Sequence, residues 1–323
     1  MVRKPWEEPQ GVFMANADDF KLPRNGQLYV SNIFERYEAL IEGTVLGRIT
    51  KHRLNAWKRN FESPEERYLA ACLLDSLIYR SERQTEALAH QLFQRVLPDL
   101  ARRVALPQGL IKDWRRTLSH DARDRGIRLV PVIDKERHPP TKSSPPISRL
   151  IRMNVPVDEK WFIWPGQSVE PVDGCAPLLI FIDDFLGTGD QFGEVYRVIT
   201  GSNTERPLAI YAPLVAYRKG ADDLQRQFPE LRIVAAEWLE ESHRIFSAES
   251  KFFDDGENSP ESAEAFYLQF IRSKNWKEGY LRGMPLGFKN CGLSYAFDHG
   301  SPDATLPIFW DEQDGFYHLF FRR

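Results

Sequence analysis

Two hydrophobic periods divide the chain. Ile33, Phe34, Tyr37, Leu40, Ile41, Val45, Leu46 and Ile49 fall three and four apart, as along one face of a helix. Ser63-Pro64-Glu65-Glu66 is a helix start, with Ser63 as N-cap and Pro64 in the first helical position. Tyr68 to Tyr79 is nearly all apolar and predicts a central buried helix, and another is expected from Thr85 to about Arg103. Residues 31–122 are therefore expected to form a helical domain. Ahead of it, residues 1–30 carry Pro5, Pro9, Gly11, Pro23 and Gly26 and read as an irregular arm, docked by Trp6, Phe13, Phe20 and Tyr29.

The style changes at Gly126. Arg128–Ile133, Leu179–Ile182, Leu208–Tyr217 and Arg232–Trp238 read as strands. Helical patterns over Phe192–Ile199 and Ala221–Phe228 alternate with them. A further helix is expected to start at Pro145 or Pro146, with Ser144 as N-cap, and to run to Met153. Alternating strands and helices imply a parallel α/β sheet, here over 123–323. That domain ends in an aromatic-rich extension with one amphipathic helix, Ser262–Ser273.

Leu178-Leu179-Ile180-Phe181-Ile182 runs straight into Asp183-Asp184, then Phe185-Leu186, and then a Gly187-Thr188-Gly189 turn that opens a helix. An unbroken apolar run suits a strand buried on both faces, and ligands of such sheets sit beyond the carboxyl ends of the strands. Helix-start amides favour an anion there. Carboxylates for sugar hydroxyls beside donors for a phosphate describe a ribose-5-phosphate cradle, with Thr188, Gly189, Asp190 and Gln191 on the phosphate side. The other reading of these residues is a capping box, Thr188 as N-cap with Gln191 reaching back to it. Asp190 would suit that helix start and would repel a phosphate.

The stretch resembles the PRPP-binding loop of type I phosphoribosyltransferases: apolar strand, two acids, two apolar residues, then a small residue and Thr-Gly. Asp190 and Gln191 depart from that pattern, where a small residue and a hydroxyl are usual. The loop after the first strand carries Lys135, Arg137, Lys142, Ser143 and Ser144. Amines, hydroxyls and helix-start amides suit a phosphate or pyrophosphate. A solvated basic loop with an ordinary serine cap is the plainer alternative. A third feature, Phe297 to Trp310, is a polar loop leading into a Pro-aromatic segment. It would cover a ligand or stack on a base through Phe309 or Trp310; alone, it reads as a loop pinned by core aromatics.

Asp183-Asp184-Phe185 with Thr188-Gly189-x-Gln191, and the distal His299-x-x-Pro302-x-x-Thr305-Leu306-Pro307-x-x-Trp310, together resemble the phosphoribosyltransferase-like effectors of bacterial conflict systems, which are encoded beside retron reverse transcriptases. The resemblance spans about 126–310 and makes Gln191 a family feature. It departs at Asp303 and Ala304. It implies a cytoplasmic anti-phage effector with a type I phosphoribosyltransferase-like sheet, restrained by a reverse transcriptase and its RNA–DNA product, and it leaves a homo-oligomer open. Asp183 and Asp184 would hold ribose hydroxyls and Mg²⁺, directly or through water, and PRPP or another nucleotide would be the substrate. His299, Thr305 and Trp310 would serve the base or a lid. The alternative from a different class is a non-catalytic nucleotide sensor or scaffold on the same fold.

Composition changes little except in charge. Residues 1–150 hold 26 Lys and Arg against 19 Asp and Glu, a net of +7, and residues 151–323 hold 17 against 27, a net of −10. The arginine-rich half would meet nucleic acid, or else form a solvated helical surface that pairs with the acidic half. Cys72, Cys175 and Cys291 lie far apart, fit reduced thiols and make a zinc site unexpected. The start, MVRKPWEEP, has no apolar signal region, and no apolar run approaches a membrane span.

Overall fold

The computed structural model describes residues 16–103, 118, 127–132, 144–165, 167, 178–201, 208–253, 256–274, 276, 283–313 and 315–321. In chain order its helices and strands begin with α1 (Gly26–Glu42), α2 (Lys51–Lys58), α3 (Pro64–Ser76), β1 (Ile78–Arg80), α4 (Glu82–Gln91), α5 (Leu97–Arg103), β2 (Ile127–Pro131) and α6 (Ser144–Asn154). They continue with β3 (Leu178–Leu186), α7 (Asp190–Gly201), β4 (Leu208–Tyr217), α8 (Arg218–Gln227), β5 (Arg232–Ile233), β6 (Glu237–Leu239), α9 (Pro260–Ser273) and β7 (Tyr295–Phe297). A π-helical turn, Leu92–Val96, joins α4 to α5.

The chain folds into two compact units, Met1–Ser81 with Glu241–Arg323, and Glu82–Glu240. This division differs from the boundary expected at 122/123. Helix α4 packs against α6 and β4 in the sheet's own unit. Residues 241–323 do not extend the α/β domain; they complete the core of α1–α3.

In the first unit the Ser63 hydroxyl accepts from the Glu66 N–H while the Glu66 carboxylate accepts from the Ser63 N–H, the reciprocal cap that Ser63-Pro64-Glu65-Glu66 predicts. Helix α3 is buried on nearly every side from Tyr68 to Leu74, and each buried leucine contributes about 2 kcal/mol. Its neighbours come from both ends of the chain. Trp57 donates Nε1 to the Ile308 carbonyl at 2.9 Å, and Phe61 stacks on Phe270 at 5.0 Å. Strand β1 pairs in parallel with β7, Ile78 opposite Tyr295.

The second unit holds a sheet in the order β2-β3-β4-β5, with β6 also on β4, and each pairing is parallel. Strand β3 is thus interior. The strand expected over Arg232–Trp238 is split into β5 and β6. Pro213 of β4, which has no N–H to donate, falls between the residues that pair with each piece. On one face of the sheet Phe181, Phe192, Tyr196 and Tyr211 form an aromatic core with Val130, Leu179 and Leu224.

Candidate functional site

Strand β3 runs four residues past the expected end at Ile182. Its pairing with β2 stops at Pro131–Ile182, while pairing with β4 continues to Leu186–Ala216. Asp183 and Asp184 therefore lie at the carboxyl end of an interior strand, alongside the end of β2, where the sheet opens. Adjacent residues of a strand leave opposite faces. Asp183 goes to the α7 side and Asp184, 4% exposed, to the other.

Asp183 is held at both oxygens. Oδ1 accepts from the Asp184 N–H at 2.9 Å, and Oδ2 accepts from the Tyr211 hydroxyl at 2.9 Å. Burial first, and the Asp183 carboxylate second, push the Tyr211 phenol well above its ordinary value, so it stays a proton donor. The Tyr211 ring lies flat on Phe192, centroids 4.0 Å apart and planes 8° apart.

The loop that follows is set by two close approaches. Gly189 has φ +80°, a conformation that favours glycine, and the Leu224 side chain packs over it. Gly220, in the first turn of α8, lies so near the loop that a Cβ there would sit 1.7 Å from the Gly187 carbonyl oxygen. The Gly189 carbonyl accepts the first helical bond, from Gly193 at 2.8 Å, which makes Gly189 the N-cap of α7. This corrects the capping-box reading. Thr188 lies one residue outside the cap, with its Oγ1 3.5 Å from the Asp190 N–H. Gln191 does not reach back; its Nε2 donates to the Val132 carbonyl at the end of β2, at 3.4 Å. Asp190 stands in the first turn of α7.

The remaining expected site residues are not all gathered here. Ser144 is the first residue of α6, one position later in its role than the predicted N-cap; Lys135, Lys142 and Ser143 lie outside the described residues. His299, Thr305 and Trp310 belong to the other unit. Thr305 is 0% exposed and donates to the Tyr295 carbonyl at 2.6 Å. Trp310, 1% exposed, donates to the Thr305 carbonyl at 3.0 Å. Neither presents a face for a base: here the distal motif is a buried knot that pins the C-terminal segment. His299 stacks on Phe297 at 4.9 Å. Burial, with the Arg48 charge, lowers its imidazole from 6.5 to about 4. Of the arginines, Arg102 pairs with Asp99 on α5, and Arg115, Arg116, Arg123 and Arg125 lie outside the described residues.

Tyr211 was not foreseen. Its one signal is a tyrosine in the middle of an apolar strand, a hydroxyl that burial obliges to find an acceptor. Gly220 carried no signal, since its role exists only through the loop it touches.

A parallel sheet carrying an acid pair at an interior strand end, followed by a glycine-capped helix, places the chain in the phosphoribosyltransferase-like α/β class. The PRTase-CE family model matches residues 54–322. The chain belongs to PRTase-CE, a phosphoribosyltransferase-like effector family. No curated protein matches it. Among solved structures, the AQ2163 protein from Aquifex aeolicus is similar at 14% identity and a TM-score of 0.32, covering 53% of this chain and 84% of that one. That likeness is too distant to bear on function. Among the described residues no helix is long and apolar enough to cross a membrane.

Proposed function

We propose that the chain is an anti-phage effector that acts in the bacterial cytoplasm on PRPP or a nucleotide, by phosphoribosyl transfer or N-glycosidic cleavage. The observation that supports it is the Asp183-Asp184 pair at the open end of interior strand β3, followed at once by the Gly189-capped start of α7. The carboxylates would accept from the 2- and 3-hydroxyls of ribose, and the first-turn amides of α7 would face the 5-phosphate. Such a reaction passes through an oxocarbenium-like state and requires positioning and charge stabilisation more than a side-chain nucleophile.

The acid pair fits Mg²⁺ of the kind that substrate brings. Two carboxylates on opposite strand faces do not close a protein cage, and no cluster of three His, Cys, Asp or Glu side chains forms among the described residues. Mg²⁺ keeps several waters and binds through one or two carboxylates plus substrate phosphates. Asp183, the less buried of the two, would hold it directly or through water, and when bound it would stabilise the charge of the departing pyrophosphate. A reverse transcriptase with its RNA–DNA product would restrain the effector until infection.

The test is incubation of the purified full-length protein with PRPP, Mg²⁺ and a nucleotide mixture, read by mass spectrometry. The expected result is release of pyrophosphate or of a free base. It should be absent from a folded Asp183→Asn, Asp184→Asn variant, whose side chains keep their volume but lose both charges. Asp190 favours a second reading, since its carboxylate in the first turn of α7 opposes a phosphate. On that reading the protein binds a nucleotide without turning it over. Nucleotide binding by the wild type with no release of pyrophosphate or base would decide for this sensor or scaffold role.

A further inference from the structure

We infer that Tyr211 is a positioning residue for the acid pair, holding the Asp183 carboxylate in the orientation that receives the ribose hydroxyls. The inference rests on the PRPP reading above and names a part of that site which no sequence motif contains.

Tyr211 is held on both sides. It lies opposite Phe181 of β3 and Ile233 of β5, and its carbonyl accepts from the Val234 N–H at 2.9 Å. From this fixed backbone the hydroxyl reaches Asp183 Oδ2 at 2.9 Å. With the Asp184 N–H on Oδ1 at 2.9 Å, there is one donor on each oxygen. Two donors on two oxygens fix the plane of a carboxylate that could otherwise turn about its terminal torsion. A phenylalanine would fill the same space among Phe181, Phe192 and Tyr196 without burying a polar atom. The hydroxyl costs desolvation unless it is bonded, and the bond it makes is to Asp183.

The same ring also ties the acid to the loop. Phe192, stacked flat on Tyr211, is the third residue of α7, whose first turn follows Gly189. The hydroxyls and the 5-phosphate belong to one ribose, joined through only a few single bonds, so acid and loop must meet both at one limited spacing. Tyr211 touches both halves: its hydroxyl reaches the acid and its ring reaches the helix that carries the loop.

Calorimetric titration of the full-length protein with PRPP at saturating Mg²⁺ tests this, with melting temperatures measured on the same samples. Tyr211→Phe should weaken PRPP binding about tenfold, as the loss of one hydrogen bond to a charged group does. Phenylalanine keeps the packing, so the fold should survive. Tyr196→Phe deletes a hydroxyl from the same aromatic core, one that donates to Glu230 instead at 3.4 Å. It should leave affinity within about twofold of wild type at a comparable cost in stability. Wild-type affinity in Tyr211→Phe would overturn the positioning role and leave the PRPP reading standing. Equal losses in both variants would reduce Tyr211 to packing and overturn it as well. A wild type that does not bind PRPP, or a doubly substituted Asp183→Asn, Asp184→Asn protein that binds it unchanged, would remove the PRPP reading and the positioning role with it.

Discussion

His299 shows how one side chain links a motif to stability. It stacks on Phe297, and its imidazole is lowered from 6.5 to about 4, chiefly by burial and then by Arg48. In the unfolded chain the ring takes up a proton first as pH falls. Its contribution, up to about 3 kcal/mol, is therefore whole above about pH 6.5 and is lost progressively toward about pH 4. His299→Phe keeps the ring stack and removes the titration. The melting temperature of this variant should fall less between pH 7 and pH 4.5 than that of wild type. An unchanged slope would show that His299 is not the titrating group. At the site itself, the same residue scale separates the two aspartates: Asp183 is braced by Tyr211, and Asp184 is buried on the opposite face.

At the scale of elements, the loop between β3 and α7 takes its shape from α8. Gly220→Ala would push a methyl group against the Gly187 carbonyl, where 1.7 Å is available. Backbone must move, at about 1–3 kcal/mol, and the loop moves with it. The expected outcome is a melting temperature several degrees lower together with weaker PRPP binding. Gly193→Ala is the contrasting case. Its Cβ would meet Gln227 and Phe228 side-chain atoms at an ordinary 3.6 Å, and alanine in a helix is favoured by about 0.5–1 kcal/mol. That variant should be neutral or more stable, with binding intact. If both alanines behaved alike, crowding at Gly187 would not be what shapes the loop.

For the whole molecule, the decisive fact is that the first unit is closed by residues from both ends of the chain. Trp57, Phe61 and β1 find partners at Ile308, Phe270 and β7. Truncation after Glu240 should therefore unfold α1–α3, although no residue of those helices is removed. Circular dichroism should lose more helical signal than α9 alone accounts for, and proteolysis should cut between residues 26 and 76. Retention of protected α1–α3 in the truncated chain would show that the first helices fold without their distal partners.

Sequence by itself determined what depends on near neighbours. The cap at Ser63 and Glu66, the helical face from Ile33 to Ile41, the span of β4 and the apolar run into Asp183-Asp184 were all legible, although the periodic pattern continued to Ile49 and α1 ends at Glu42. Each follows from propensity, periodicity or hydrogen bonds a few residues apart. The acid pair at a strand end was legible too, because a continuous apolar run names a buried strand and the strand's end names the place. Only tertiary structure decided what depends on residues far apart in the chain. Gln191 turned from a cap to the Val132 carbonyl because β2 ends beside it. Arg232–Trp238 became two strands because Pro213 interrupts the partner. Thr305 and Trp310 became a buried knot rather than a base platform because the Tyr295 carbonyl and the core of α1–α3 claim them. Tyr211 faces Asp183 only through the register of β4 on β3. That register brings together residues 28 positions apart in the chain, which no local pattern encodes.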